Sequence, residues 1–494
     1  MLKKLLISLL ILSILLPACA GNDTAKTNET KDEAIENIET EPDRFTPNLP
    51  TMDFKGYEFR AAVPDNNFHA TMTFAATEES GDLVNDAIYK RNMYIEEKFN
   101  VKLKEINLGP DFATVEAYFR KSVLGETDDF DLCVPLNPDK LAIEGFSLTP
   151  DQLPYVDITK PWYREGLNYE FSIGGKYYMA YSDECISVYE SHIAVCFNKK
   201  LADDLNIDNM YKLVTNGTWT HEKLFDMCRV ASIDLDGDGK MTDADQFGMV
   251  SQDDLFLYNF WVSAGVKVVT HDSDGFLMYN RAVDDKLEQI LTNVYNNVYA
   301  KEKIYFAAGI DTVTVLSYSN ESTVRELSTL QFKSDLGLFY SARLLQIASM
   351  RGMETDFGVI PFPKYDEAQE TYYPLSYLGW GKIAPTHALD PERTSIILEA
   401  LAAESKNTTI PAYKDVVLGV KYMRDSESVE MLNLIFENSV FDQSVYIFNY
   451  NIRAILYNVM KGKASYASAM AQNMDRWNVM FDDYNNAARE AMNK

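Results

Sequence analysis

The stretch from Gly56 to Leu136 constrains the fold more than any other part of the chain. GYEFRAAV (56–63) alternates in polarity and stops at Pro64-Asp65, as a strand does. From Asp82 to Asn100 apolar residues recur at helical spacing, with Val84, Ile88, Ile95 and Phe99 on or near one face. VKLKEINL (101–108) alternates again, and Phe112 to Leu124 has helical spacing. FDLCVPL (130–136) is a short continuous apolar run of the kind buried on both faces of a sheet. Strand, helix, strand, helix, strand is the order of an α/β layer with a parallel sheet.

The pattern returns further along. KYYMAYS (176–182), SHIAVCFN (191–198), LGLFYSA (336–342), DFGVIPFP (356–363) and LSYLGWGKIAP (375–385) read as strands. Leu201 to Leu205, His221 to Ser232 and Asp284 to Tyr299 read as helices. The C-terminal third is helical at Pro391 to Ser405, Ala412 to Leu418, Ser426 to Asn438, Ile447 to Met460 and Tyr466 to Met492. Two α/β lobes with helices packed late in the chain is the architecture this order predicts.

The first nineteen residues bear on where such a chain works. Lys3 and Lys4 lead an apolar run, Leu5 to Leu16, which closes on Leu16-Pro17-Ala18-Cys19. This is the make-up of a secretory signal peptide, too short to span a bilayer. The cysteine after the small residue makes the segment resemble a bacterial lipoprotein signal. That resemblance implies cleavage before Cys19, diacylation of Cys19, and an exported protein anchored by lipid to the outer face of the cell membrane. Residues 20–50 are polar and acidic without apolar periodicity, and read as a flexible spacer. No second apolar run reaches transmembrane length. The net charge of -28 argues against nucleic acid or an anionic membrane surface as partner, and disfavours strongly anionic ligands while leaving room for a local basic pocket. Cys133, Cys185, Cys196 and Cys228 form no CxxC pair. Cys133 and Cys196 sit in apolar runs and read as buried thiols, and one disulfide among the four stays open.

Several segments taken in order carry a family resemblance: LPYVDITKPWY (153–163), IGGKYYMAYSDE (173–184), IAVCFNKKLADDL (193–205), NGTWTHEKLFDMC (216–228), ETDFGVIPFPKYDEAQETYY (354–373) and TTIPAYKDVVLGVKYMRDSESVEML (408–432). Together they resemble the carbohydrate-type (family 1-like) extracellular solute-binding proteins of bacterial ABC importers. The resemblance implies a two-lobed, periplasmic-binding-protein-like (type II) α/β fold with a hinge, a cleft between the lobes and a helical C-terminal third. It implies residues 1–18 as signal peptide, 19–50 as tether, 51–183 plus 334–378 as first lobe, and 184–333 plus 379–494 as second lobe. Crossings between lobes fall near Tyr178 to Asp183, Thr329 to Ser334 and Leu378 to Ala384. The implied function is non-catalytic: a monomer that captures a sugar, an oligosaccharide by preference, and delivers it to a membrane permease. A surface glycoside hydrolase and an adhesive lipoprotein stay open as alternatives, as does a non-sugar ligand.

Sugars offer apolar C–H faces for stacking and hydroxyls for bidentate hydrogen bonds. The candidate contacts are polar or aromatic residues near strand ends: Asp65, Asn67, Asn137, Asp139, Tyr189, Glu190, Asp253, Trp261 and Tyr340. Trp380 in the last crossing joins them, as do Tyr450 and Arg453 on a late helix, where related binders place an aromatic and an Arg. Trp162, Trp219 and Trp477 are assigned to packing. DLDGDGKMTDAD (234–245) matches the first half of an EF-hand-type loop. Asp234, Asp236, Asp238, the Lys240 carbonyl and Asp245 would hold a structural Ca²⁺ that pins the loop, and no catalytic cofactor is expected. GWGKIA (379–384) fits a dinucleotide fingerprint only by chance, because Pro385 follows. The five histidines lack metal-ligand spacing.

Overall fold

β1 (Tyr57–Val63) is the axis of the first sheet. It pairs in parallel with β2 (Val101–Asn107), Tyr57 opposite Val101 and Val63 opposite Asn107. On its other side it pairs in parallel with β3 (Leu132–Cys133) through Ala61 and Ala62. Helices α1 (Leu83–Phe99) and α2 (Phe112–Gly125) make the two crossovers the sequence predicts. Each starts where an aspartate carboxylate, Asp82 or Asp111, accepts the first free amides, and each stops at a left-handed residue, Asn100 or Glu126. Helix α3 (Pro138–Ile143) follows β3.

The structure is a computed structural model that describes residues 44–65, 74–251, 256–300, 304–306, 324–347, 350, 352–377, 379–415 and 425–492. The chain divides into two units, Met1–Arg44 and Phe45–Lys494, and the elements above and below belong to the second. Cys19 and the spacer lie outside the described residues. Among those described, no helix is long and apolar enough to cross a membrane.

Two small hairpins, β4 (Ser172–Ile173) with β5 (Lys176–Tyr177) and β8 (Val269–His271) with β9 (Leu277–Tyr279), stand outside a second sheet. That sheet is built of β6 (Ile193–Asn198), β7 (Phe247–Ser251), β10 (Ile304–Phe306), β11 (Gly337–Arg343) and β12 (Phe357–Pro361), in the order β10-β7-β11-β6-β12. β10, β7 and β11 run parallel, and β6 runs against both of its neighbours. The reason is where β6 begins. Ile193 lies opposite Arg343 and Ala194 opposite Pro361, so the chain enters this sheet at the C-terminal ends of β11 and β12 and must run the other way.

The pairings correct the expected division into lobes. β11 and β12 share a sheet with β6, so residues 334–378 belong largely to the second lobe. Ile383 bridges Cys133, and the helix Pro391–Asn407 packs Ile396, Ile397 and Leu401 against Phe59 and Leu132, so this part of the chain belongs to the first. Thr329 to Ser334 is not a crossing, because a helix (Val324–Lys333) leads there straight into β11. Among the described residues two connections can be followed: an outgoing one from Ser182 to His192, and a return from Leu375 to Ile383. They are tied by the bridge between His192 and Ser376. Both are less regular than expected. KYYMAYS forms a ladder only at Lys176–Tyr177, and LSYLGWGKIAP makes isolated bridges. The helix expected over 447–460 is a wide π turn (Asn449–Arg453) followed by Ala454–Met460.

Trp162, Trp219 and Trp477 are buried, and each indole N–H donates inward: to Glu399 Oε1 (3.1 Å), the Pro361 carbonyl (2.9 Å) and the Asn451 carbonyl (3.1 Å). Cys133, Cys185, Cys196 and Cys228 are buried free thiols. β7 packs tightly against the helix His221–Ala231. A β-carbon on Gly248 would lie 2.1 Å from the Cα of Cys228. Gly248→Ala should therefore destabilise the fold by about 3 kcal/mol, since the neighbour is backbone and cannot yield. Urea unfolding of the two proteins checks this, and equal midpoints would contradict it.

Candidate functional site

In each sheet most strands run parallel, so their C-terminal ends share an edge. On the first sheet, Asp65, Phe112, Asn137 and Asp139 follow those ends. Asp65 and Asn137 are exposed, and the Asn137 amide donates to Glu116 Oε2 at 3.0 Å. Trp380, on the return connection, stacks on Phe112 at 5.5 Å. Asp139, at the start of α3, is buried, and burial pushes its carboxyl up to about 6. Tyr181, Tyr446 and Tyr484 lie within electrostatic reach of it.

On the second sheet the edge carries a tyrosine stack. The rings of Tyr258 and Tyr377 are 5.5 Å apart and 7° from parallel, and those of Tyr258 and Tyr457 are 6.2 Å apart and 3° from parallel. The Arg453 guanidinium lies 5.5 to 6.0 Å from all three ring centres. Its Nη1 donates to Tyr377 Oη (3.0 Å) and to the Val445 carbonyl (3.2 Å). Arg343, the last residue of β11, lies 4.9 Å over the Tyr377 ring. Tyr450, on the same turn as Arg453, is 84% exposed. Tyr258 itself is fully buried and backs the stack, so the half-buried Tyr377 and Tyr457 and the exposed Tyr450, with the guanidinium donors, are the groups that suit a ligand with apolar faces and many hydroxyls.

The structure thus gathers Asp139, Arg453, Tyr450, Trp380, Asp65 and Asn137 along the strand-end edges. It does not do so for four other candidates. Tyr340 lies inside the second lobe, stacked on Phe332 and hydrogen-bonded to Thr329, because it points to the covered face of β11. Trp261 is fully buried behind Tyr258, and its indole nitrogen has no hydrogen-bond partner among the described residues. Tyr189 is buried on the outgoing connection. Its hydroxyl donates to Asp183 Oδ1 (2.7 Å) and accepts from Arg164 Nη1 (3.0 Å). Glu190 is buried beside it. Asn67 and Asp253 lie outside the described residues. Tyr258, Tyr377, Tyr446, Tyr457, Phe112 and Arg343 were not anticipated. One signal was present: Tyr446, Tyr450, Arg453 and Tyr457 fall at successive spacings of four, three and four, the pattern of one helical face.

In the acidic loop, carboxylate oxygens of Asp234, Asp236 and Asp245 lie within 4.8 Å of one another, a set that fits a hard cation. Asp238 is not in that group, and accepts instead from the Lys240 amide at 2.8 Å. The Gly239 and Gly237 amides hold the Asp234 carboxyl below the usual range, and those of Thr242 and Leu235 do so for Asp245.

No protein-family model and no curated protein matches the chain. Solved structures do. UspC of M. tuberculosis is 13% identical, with 87% of this chain and 100% of that one covered and a TM-score of 0.54. An ABC substrate-binding protein of Listeria monocytogenes, solved with cycloalternan, is 12% identical over 86% and 99%, with a TM-score of 0.53. The GacH receptor of Streptomyces glaucescens, solved with acarbose, is 14% identical over 87% and 99%, with a TM-score of 0.52. The fold is that of the two-lobed extracellular solute-binding proteins.

The buried Asp139 gives a pH-dependent expectation. Its folded value of about 6 lies above the unfolded value near 3.9, so the folded state binds more protons between those limits. Stability from this group is therefore present below pH 4 and lost as pH rises through 6. Relative to the native chain, Asp139→Asn should gain about 3 kcal/mol more at pH 7.5 than at pH 3.5. Urea titrations at the two pH values measure this, and a pH-independent difference would contradict it.

Proposed function

We propose that the chain is an exported, non-catalytic receptor of an ABC importer, which captures a carbohydrate between its lobes and hands it to a membrane permease. The observation that carries this reading is the Tyr258–Tyr377–Tyr457 stack, capped by Arg453 and flanked by the exposed Tyr450, at the strand-end edge of the second sheet. The fold supports it, because proteins sharing nearly the whole chain's architecture were solved with cycloalternan, acarbose and maltotetraose. Stacking on a C–H face excludes water, and guanidinium and carboxylate groups then fix the hydroxyls in register. Closure about the two connections would bury the sugar and present a new surface to the permease. An oligosaccharide is the preferred guest, given aromatic groups on both sheet edges. The diacyl anchor at Cys19 belongs to the same reading, holding a monomeric receptor at the outer face of the cell membrane.

Titration against an oligosaccharide panel by calorimetry tests the proposal. Saturable binding with the sugar recovered unchanged supports a receptor, new reducing ends support the hydrolase alternative, and no binding to any member rejects both. Tyr450→Ala should weaken binding by about 2 kcal/mol and leave the melting temperature unchanged, because the ring is exposed. Unchanged affinity would remove Tyr450 from the site. For the acidic loop, the reading is one Ca²⁺ held by Asp234, Asp236 and Asp245. Chelation should lower the melting temperature and added Ca²⁺ restore it. A flat response would leave a hydrogen-bonded turn.

A further inference from the structure

A cavity of about 480 Å³ opens beside the two connections. Val188 and Tyr189 of the outgoing connection and Ser376 of the return form part of its wall. Neither the tyrosine stack nor any residue ending β1, β2, β3, β7, β10 or β11 lines it, so it is distinct from the site described above. Its size is that of pockets that take small molecules.

Its charges are unusual for a chain of net charge -28. Arg164, Lys406 and Lys414 all line it, and they converge on one carboxylate, Asp183. Asp183 is buried and already taken: its Oδ1 accepts from Tyr189 Oη (2.7 Å) and lies 4.0 Å from Arg164 Nη1, and its Oδ2 lies 3.2 Å from Lys406 Nζ. Lys414 makes no ion pair with any described residue. Its ammonium lies 5.7 Å over the Phe436 ring. Burial, with Lys406 and then Arg164 as like charges nearby, lowers its pKa against the pull of Asp183 and Glu437. With Asp183 the acids equal the cations in number, but none of the remaining ones pairs with Lys414. Glu170 is engaged by Lys267, and Glu165 and Glu437 are exposed at the rim. Phe436, Phe441 and Tyr163 give the same cavity an apolar wall.

We propose that this cavity is a second ligand site, which takes a small organic anion: a carboxylate or phosphate group held by Lys414 with Lys406 and Arg164, on an apolar or ring-shaped body packed against the aromatic wall. An anion there gives Lys414 the charged partner it lacks among the described residues, through charge-assisted hydrogen bonds. Helices carrying Lys406 and Lys414 pack with the first lobe, whereas Phe436 ends a helix packed on β12 of the second. Such a ligand therefore touches both lobes and the connections between them. Its binding is coupled to that of any ligand that changes their separation, and the coupling is reciprocal.

The test is thermal-shift titration of the full chain with benzoate, phenyl phosphate and inorganic phosphate at constant ionic strength, repeated for Lys414→Gln and Glu437→Gln. The expected result is a saturable rise in melting temperature with at least one of the two ring-bearing anions. The dissociation constant should be at least tenfold weaker in Lys414→Gln and tighter in Glu437→Gln. Without anion, Lys414→Gln should melt no lower than the native chain, since a disfavoured charge has been removed, so a misfolded variant would be recognised. Benzoate against phenyl phosphate tells the carboxylate from the phosphate. No saturable shift with any probe, or titrations that coincide in the native chain and Lys414→Gln, would overturn the proposal. Neither result bears on sugar binding, which is read in its own titration.

Discussion

Glu184 ties the two connections of this fold to each other and to the first lobe. It sits buried on the outgoing connection, 2.7 Å from Lys382 Nζ on the return connection and 3.8 Å from Arg91 Nη1 on α1. All three groups are buried, so each charge depends on the others for the solvation it lost. Removing one partner would strand a charge in a low-dielectric setting, which costs far more than the loss of a surface pair. The neutral contacts alongside act the same way. Cys185 Sγ donates to the Trp380 carbonyl, and the Trp380 amide donates to Ser187 Oγ, both at 3.0 Å. The connections are thereby clasped together although they are irregular and nearly two hundred residues apart.

That clasp decides where chemistry can gather. Because the return connection is fixed against the outgoing one, Trp380 meets Phe112 at the edge of the first sheet and Tyr377 meets Tyr258 at the edge of the second. The late turn that carries Tyr450 and Arg453 then closes on Tyr377. The same clasp leaves the cation-lined cavity on another side of the connections. One arrangement of two segments so defines both the edge with stacked rings and the pocket lined by Arg164, Lys406 and Lys414.

Much of this was legible in the order of residues. β1, α1, β2 and α2 fall where alternation and helical spacing put them, and the buried run at 130–136 supplies β3. The burial of Trp162, Trp219 and Trp477 and of Cys133 and Cys196 was also readable, whereas that of Trp261 was not. The lobes' membership was not. Nothing in LGLFYSA says that its hydrogen-bond partners are SHIAVCFN and the strand ending FGMVS, and nothing in GWGKIA says that Ile383 returns to Cys133. Sheet pairing is a contact between distant segments, and short apolar runs are interchangeable as partners.

The site shows the same division at the scale of side chains. By itself the sequence determined which elements form, which residues prefer the interior, and that aromatic, carboxylate and guanidinium groups would be plentiful near strand ends. These follow from local periodicity and residue chemistry, which act between near neighbours in the chain. Only tertiary structure decided that Tyr340 and Trp261 are packing, that Tyr189 spends its hydroxyl on Asp183, and that Tyr258, Tyr377, Tyr457 and Arg453 form one unit. The physical reason is that a strand or helix end offers two faces of similar composition, and which one is covered depends on the segment that packs there from elsewhere in the chain.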